Sequence, residues 1–350
     1  MTDVVTFSSL ATEPYERGVE LGSAQAGPVA ATVASYRRLW EWLDPDFDLS
    51  YWGSRALESI TTQAPRAAEE IAGIAAGSGR RVEEIAALNA RTEVLGAIAP
   101  RLDTTECSTV VSSAPGRAPL AVQTWDWYPH MRANWFVWAF PTAAGGRVTT
   151  LTEFGVLAKI GVNDAGLGVM LNMLHHSADE QVGEPRIGFP VHVLLRTLLE
   201  DCASLDEARD LVRSLSFSAS SALTVVDRGG DAASFETFPE GVGEVKPEAG
   251  LLVRTNHFVS AEGEAGCHGG VLDDNSWVRR DHLLATLGDH PPASVDDVHA
   301  ALTHHDGAGP ICRHAAEPDD LLATATLATA TLDVEHGELA VVRGGPCGHP

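Results

Sequence analysis

The chain has 350 residues, of which 44% are hydrophobic and 21% charged, a balance typical of a globular protein long enough to bury a substantial core. Its formal net charge of −24 argues against nucleic acid and anionic membranes as partners, because a polyanionic surface repels both. We see neither the roughly 18 consecutive apolar residues of a membrane helix nor a basic segment and apolar run typical of a secretory signal.

The first hundred residues predict helices. Apolar residues recur at helical spacing in four segments, 13–26, 29–43, 64–76 and 82–98. Gly27-Pro28 separates the first two segments, and Gly77-Ser78-Gly79 separates the last two.

From Cys107 onward the pattern changes to short runs typical of strands. Strands are predicted at 107–113 and 119–127, joined by a short turn, and then at 134–141, 148–154, 157–163, 166–174, 222–227, 232–238 and 251–255. Helical spacing returns over 190–215, after the polar stretch 273–282 and over 294–303. The end of the chain predicts two strands around a His336-Gly337 turn. Helices and strands in blocks predict an α+β fold of antiparallel sheets covered by helices, and we find no repeat or linker that divides residues 1–350 into domains.

The cysteines indicate a reducing environment. The chain has five widely separated cysteines, Cys107, Cys202, Cys267, Cys312 and Cys347. They lack both C-x-x-C spacing and the density of a disulfide framework. We therefore expect a cytoplasmic protein whose thiols must be judged one by one.

Cys107 begins a predicted strand, where a cysteine is ordinarily a small buried residue. It would be reactive only if a neighbour favoured the thiolate or accepted its proton. The next strand returns with Asp126 between two tryptophans, which can bring a carboxylate beside Cys107. If that carboxylate is buried, it needs a partner such as arginine or several hydrogen-bond donors.

A series of short segments follows a recognisable order along the chain. They are a helical stretch ending in ALNARTEV, then ECSTVV, QTWDW, GVNDAGLGVMLN, RTNHF, GPICRH, TLATATLD and GGPC. This series resembles the C45 group of N-terminal-nucleophile hydrolases, which includes a fungal penicillin-maturing acyltransferase and β-alanyl-amine hydrolases. The resemblance covers nearly the whole chain and implies a four-layer αββα sandwich of two antiparallel sheets.

The resemblance also implies a self-processing mechanism. The Cys107 thiol would attack the carbonyl of Glu106, and water would resolve the thioester into a light chain, 1–106, and a heavy chain, 107–350. The new α-amino group would act as general base for its own thiol, since the ordinary pKa of such an amine is about 7.7–8.0. An acyl group would then pass from the substrate to sulfur and on to water or an amine.

Four other residues match functional positions of the family. Asn172 matches an oxyanion-hole asparagine, and Asp126 matches an aspartate that we expect to orient the α-amino group or an arginine. Arg313 matches an arginine that pairs with this site, where its planar fork can grip a carboxylate in two hydrogen bonds. Thr109 matches a threonine that assists cleavage or positions the strand. In isolation, Asn172 could equally satisfy the backbone at a strand end, and Arg313 could be a surface residue.

Two positions depart from the family pattern. Glu106 stands where the penicillin-maturing relative has glycine, which puts the efficiency of cleavage in question. Arg254 stands where relatives often have histidine before TNHF, a change that could reflect a different substrate.

Other functions remain open at this point. The fourteen histidines suggest a catalytic metal at His175, His176, His304, His305 and Asp306, but no H-E-x-x-H or comparable spacing supports one, and we expect no metal or other cofactor. The chain could also be a non-cleaving binding protein of the same fold, or a bile-salt-hydrolase-like enzyme for N-acyl amides. As substrates we expect a small-molecule amide or acyl donor, with a weak preference for amines and aminoacyl amines because the negative surface attracts cations.

Overall fold

The computed structural model covers most of the chain. It describes residues 4–100, 107–113, 117–180, 185–268, 275–288, 292–307, 309–314 and 320–348. Glu106, at the predicted cleavage point, lies outside them. Within the described residues, no helix combines the length and apolar character needed to cross a membrane.

The N-terminal part is helical, as predicted. Its helices are α1 (Pro14–Ala24), α2 (Ala26–Leu43), α3 (Leu49–Gln63), α4 (Pro65–Ser78), α5 (Val82–Asn89) and α6 (Arg91–Ile98). Helix α3 fills the interval between the second and third predicted helices. The predicted helix 82–98 breaks at Ala90, beside Asn89, whose side chain hydrogen-bonds the loop at Gly155 and Leu157.

Two sheets follow. The strands are β1 (Thr6–Ser8), β2 (Ser108–Ser112), β3 (Leu120–Trp127), β4 (Trp135–Pro141), β5 (Arg147–Glu153), β6 (Ile160–Asn163), β7 (Leu167–Met173), β8 (Ser221–Asp227), β9 (Ala232–Phe238), β10 (Gly241–Val245), β11 (Leu251–Arg254), β12 (Ala325–Asp333) and β13 (Glu338–Arg343). One sheet has the order β1-β4-β5-β6-β7-β8-β9-β10, and the other β11-β2-β3-β12-β13. Pairing is antiparallel as predicted, except that the short edge strand β1 runs parallel to β4.

The sheets and helices form four layers. The remaining helices are α7 (Val191–Asp201), α8 (Leu205–Arg213), α9 (Ala261–Glu264), α10 (Asn275–Gly288) and α11 (Val295–Leu302), with 3₁₀ turns at Pro129–Met131 and Ser177–Asp179. Helices α7 and α8 pack on the eight-stranded sheet, and α10 and α11 pack on the five-stranded sheet. The two sheets contact each other through β2–β7, β12–β6 and β13–β5. This arrangement is the predicted αββα sandwich.

Strands β2 and β3 are buried on both faces, so alternate side chains enter different cores. Val110 and Val122 pack with Leu283 and other side chains of the outer helices. Val111 and Trp125 instead belong to the core between the sheets. This alternation determines which layer each functional side chain of the two strands can reach.

Candidate active site

Cys107 directly precedes β2 and belongs to the core between the sheets, where 5% of its surface is exposed. Its thiol donates to the main-chain oxygen of Asp126 over 3.7 Å. Burial and the negative charge of Asp126 raise the pKa of the thiol to about 12, although Lys159 and Arg279 oppose this. In the uncut chain the thiol is therefore protonated at neutral pH.

Thr109, Asn172 and Cys107 form one chain of hydrogen bonds between the sheets. The Thr109 hydroxyl donates to Oδ1 of Asn172 over 2.8 Å, and Nδ2 of Asn172 donates to the main-chain oxygen of Cys107 over 2.9 Å. The first bond fixes which end of the amide faces Cys107. Three residues predicted from the sequence are thus brought together, and Asn172 is held as a donor beside Cys107.

Asp126 is fully buried at the end of β3, where Ser108 and Thr124 are register partners. Among the described residues, neither carboxylate oxygen makes a hydrogen bond of ordinary geometry. Burial raises the pKa of Asp126 to about 7, although the Thr326 hydroxyl and the charge of Arg279 act to lower it. Asp126 is thus a buried carboxyl group whose oxygens can accept further hydrogen bonds beside the first residues of β2.

Arg279, in α10, is a functional candidate that the sequence analysis missed. Its side chain is 1% exposed. Its Nη1 donates to the main-chain oxygen of Cys107 over 3.0 Å and to Oγ of Ser108 over 2.9 Å. Its other nitrogens donate to Asn256, in the RTNHF segment, and to Asn275. One arginine therefore joins an outer helix, the RTNHF segment and the start of β2.

Arg313, the arginine predicted to pair with this site, is held beside β12 through its main chain. Its main-chain N–H donates to the Thr326 hydroxyl over 2.9 Å, and its main-chain oxygen accepts from the Thr326 N–H over 3.1 Å. Thr326 is the register partner of Asp126. The charge of Arg279 lowers the pKa of Asp126, and the role expected of Arg313 stays a prediction.

Lys159 is the second candidate missed from the sequence. Its Nζ donates to Oε2 of Glu153 over 2.6 Å and lies 3.5 Å from the centre of the Trp125 ring. Burial lowers the pKa of Lys159 to about 7, against the opposing effect of Glu153. Glu153 also pairs with Arg91 of the ALNARTEV segment over 3.1 Å. The network therefore connects the N-terminal helices to Lys159, whose charged form lowers the pKa of the Cys107 thiol.

The remaining sequence candidates lie elsewhere. Arg254 is fully buried in an ion pair with Glu236, and it donates to the main-chain oxygen of His257 over 2.9 Å. Burial lowers the pKa of His175 to about 4, and His304 stacks on His282 at 3.8 Å between ring centres. The described residues do not bring the histidine pairs and Asp306 together as a metal site.

Comparison with known proteins places the chain in a family. Residues 113–346 match the family model "Acyl-coenzyme A:6-aminopenicillanic acid acyl-transferase". The chain belongs to this family. The matched part contains Asp126, Asn172 and Arg313, and it begins shortly after Cys107 and Thr109.

A curated relative belongs to the same group. The 40 kDa form of an acyl-coenzyme A:6-aminopenicillanic-acid acyltransferase from Emericella nidulans is 34% identical over 236 residues, 66% of this chain. The match spans 63% of that relative's length.

Solved structures with partial similarity include two hydrolases. A mutant conjugated bile acid hydrolase from Clostridium perfringens has 13% identity and a TM-score of 0.48, covering 68% of this chain and 92% of its own. Penicillin V acylase from Agrobacterium tumefaciens has 12% identity and a TM-score of 0.44, covering 68% of this chain and 83% of its own. The fold assignment rests on the sheet order and layer contacts described above.

Proposed function

We propose that this protein is a self-processing cysteine N-terminal-nucleophile enzyme, an amidohydrolase or acyltransferase. The observation that carries the proposal is the hydrogen-bonded chain Thr109–Asn172–Cys107 beside the buried carboxylate of Asp126. Membership of the acyltransferase family supports the reaction class. The whole chain would form one domain with a light chain, 1–106, and a heavy chain, 107–350.

Maturation would proceed in two chemical steps. The Cys107 sulfur attacks the Glu106 carbonyl carbon, the peptide C–N bond breaks, and the nitrogen takes up a proton to become a free α-amine. Water then cleaves the thioester, which leaves a carboxylate on Glu106 and returns a thiol to Cys107. The amine would supply donors to Asp126, whose oxygens lack ordinary hydrogen bonds among the described residues. A positive charge there would lower the pKa of both Asp126 and the thiol.

In turnover, the α-amine would accept the thiol proton as sulfur attacks the substrate carbonyl. Asn172 is positioned to donate to the tetrahedral oxyanion, a contribution typically worth about 2.7–4 kcal/mol. The leaving group departs with the proton that the α-amine accepted, and water or an amine then takes the acyl group from sulfur and returns a thiol to Cys107. We propose a small-molecule amide or acyl donor as substrate, with amines or aminoacyl amines favoured by the net charge of −24. The five free cysteines support a cytoplasmic setting.

The test is intact mass spectrometry and denaturing electrophoresis of the wild type and Cys107→Ala. We expect the wild type to separate into two chains cut between residues 106 and 107, and Cys107→Ala to stay whole. Cys267→Ala is the matched control, since it removes a thiol outside the proposed site, and it should be cut like the wild type. An uncut wild type that carries no acyl group on Cys107 after incubation with amide and acyl-donor panels would leave the binding-protein alternative.

Asn172→Ala tests the site after maturation. With any substrate found in the panels, we expect kcat to fall about 10²–10³-fold while Cys107 remains at the new chain end. An unchanged kcat in the cut variant would remove Asn172 from the oxyanion hole. Addition of an amine acceptor should shift product from free acid to amide if the enzyme is a transferase.

A further inference from the structure

Four metal-ligating side chains converge near the C-terminal end of the chain. They are His305, just after α11, Cys312 and His314 in one loop, and Cys347 after β13. One ligand atom from each lies within 4.8 Å of all the others. No single sequence motif joins them, because the cluster draws on three separate segments.

Four of the six distances between these ligand atoms lie at 3.3–3.7 Å, near the edges of a zinc tetrahedron. The two sulfurs are 3.3 Å apart, and the two histidine Nε2 atoms are 3.3 Å apart. Nε2 of His314 lies 3.7 Å from the Cys312 sulfur and 3.5 Å from the Cys347 sulfur. Zinc bonds of about 2.3 Å to sulfur and about 2.0–2.1 Å to nitrogen give tetrahedral edges of about 3.8 Å between two sulfurs, about 3.5–3.6 Å between sulfur and nitrogen and about 3.3–3.4 Å between two nitrogens. The nitrogen–nitrogen and sulfur–nitrogen distances match these edges, and the two sulfurs would move apart by about 0.5 Å on binding. The sulfur–sulfur distance is well beyond the roughly 2.05 Å of a disulfide.

The backbone holds the first part of the cluster in place. The N–H groups of Ile311 and Cys312 both donate to the main-chain oxygen of His304, over 2.9 and 3.1 Å. This closes the loop so that Cys312 and His314 return beside His305.

The C-terminal turn is anchored separately on β12. The Gly344 N–H donates to the Leu327 oxygen over 3.0 Å, and the Thr329 hydroxyl donates to the Gly344 oxygen over 3.0 Å. A Cβ at Gly345 would lie only 2.0 Å from the Cys312 sulfur. Only glycine therefore lets the turn that carries Cys347 approach so closely.

We propose that His305, Cys312, His314 and Cys347 bind one zinc ion. Two sulfur and two imidazole ligands form a donor set that suits Zn²⁺, and four protein ligands leave no open position for substrate, as in structural zinc sites. The thiols lose their protons on binding. Cys312 is buried, whereas the two histidines are exposed, so the ion has a route from solvent.

The ion would stabilise the loop that carries Arg313. Arg313 stands between two of the ligands in the sequence. Its main chain is hydrogen-bonded to Thr326, the register partner of Asp126. The C-terminal turn and this loop would thus be fixed together one strand away from the candidate active site. The role is structural, so it is independent of whether Cys107 acts as nucleophile.

The test is metal analysis of tag-free protein purified under reducing conditions. We expect about one zinc per chain, lost in Cys312→Ser and Cys347→Ser and retained in the control Cys267→Ser. Replacement by Co²⁺ should give the intense visible absorption of tetrahedral cobalt with thiolate-to-metal charge transfer, and neither cysteine variant should show it.

Three results would overturn the proposal. One is wild-type protein without bound metal that also fails to bind added Zn²⁺ or Co²⁺. The second is bound zinc that persists in both cysteine variants. The third is an intact mass and thiol count showing that Cys312 and Cys347 form a disulfide in the protein as isolated. If a cysteine variant fails to fold, His305→Ala and His314→Ala at the exposed ligands repeat the cobalt measurement.

Discussion

At the residue scale, Asp126 is a carboxyl group that the fold removes from water. It is fully buried at the end of a strand, and burial raises its pKa to about 7. In the unfolded chain the pKa of an aspartate is about 3.9. Between these two values the folded state holds a proton that the unfolded state has released, so stability falls as the pH rises from about 4 to about 7.

The direction of this pH dependence of stability can be measured in a Cys107→Ala background, where cleavage does not complicate unfolding. We expect urea denaturation to show a loss of stability from pH 4.5 to 7.5 that is smaller when Asp126→Asn is added. The difference should amount to about 1.4 kcal/mol for each unit by which folding raises the pKa. Equal pH dependence in both proteins would mean that Asp126 is ionised in the fold at neutral pH.

Sequence reasoning reached only part of this site. Cys107, Asp126, Asn172 and Thr109 were found through short motifs, and the structure brings them together, while their catalytic roles remain predictions. Arg279 was missed because an arginine within a helix is typical of a solvated surface, and its contact with Cys107 spans 172 positions. Of the four proposed metal ligands, the sequence analysis named only His305 as a candidate for binding metal, because the segments that carry Cys312, His314 and Cys347 meet it only in the fold.

At the element scale, the contact of α1 with α4 depends on glycine. Gly18 and Gly22 face Gly73 and Gly77 so closely that a Cβ at Gly73 would lie 2.1 Å from the Tyr15 oxygen. Backbone atoms cannot move aside as a flexible side chain can, so the helices would have to separate.

We therefore expect Gly73→Ala to destabilise the uncut chain by about 1–3 kcal/mol, as overpacked cores do. The loss should occur although alanine favours a helix over glycine by about 1 kcal/mol. Gly27→Ala in α2 is the matched control, because apart from its chain neighbours nothing lies within 4 Å of its added Cβ, and it should cost less stability than Gly73→Ala. Similar urea midpoints for the two variants would show that α1 and α4 can adjust.

The elements themselves were predicted well where the periodicity was long. The four helical segments predicted in the first hundred residues and the strands predicted from Cys107 onward are confirmed, although 82–98 divides into two helices and α3 had no prediction. The strands β1 and β10 had no prediction, because TFS is too short for a pattern and GVGEV contains two glycines. The four layers came from family resemblance, since blocks of helices and strands do not specify which face of a sheet each helix covers.

At the scale of the whole molecule, buried ion pairs connect the predicted light and heavy chains. Glu70 accepts from Arg17 over 2.7 Å and from Arg196 over 2.6 Å, and Arg17 also pairs with Glu200 over 2.7 Å. At most 7% of any of these side chains is exposed. Arg17 and Glu70 precede Cys107, whereas Arg196 and Glu200 follow it.

Glu70→Gln would leave two buried arginines with one carboxylate between them. We expect a loss of about 3–5 kcal/mol in the uncut chain, as when one partner of a buried pair is removed. Arg66→Gln is the control, because Arg66 pairs with the same Glu200 but its side chain is 49% exposed. This substitution should lower the stability by less than about 1 kcal/mol. Equal effects would mean that solvent reaches the network.

The main-chain oxygen of Cys107 accepts from Asn172 in the facing sheet and from Arg279 in an outer helix. Chain ends produced by a cut are ordinarily mobile, and fixing the backbone of one residue again costs about 1–2 kcal/mol of conformational entropy. After a cut before Cys107, these hydrogen bonds from two layers of the fold would still hold this residue in place. The α-amine formed by cleavage would then already be held in position at the start of each catalytic cycle, so no conformational entropy would have to be lost to order it.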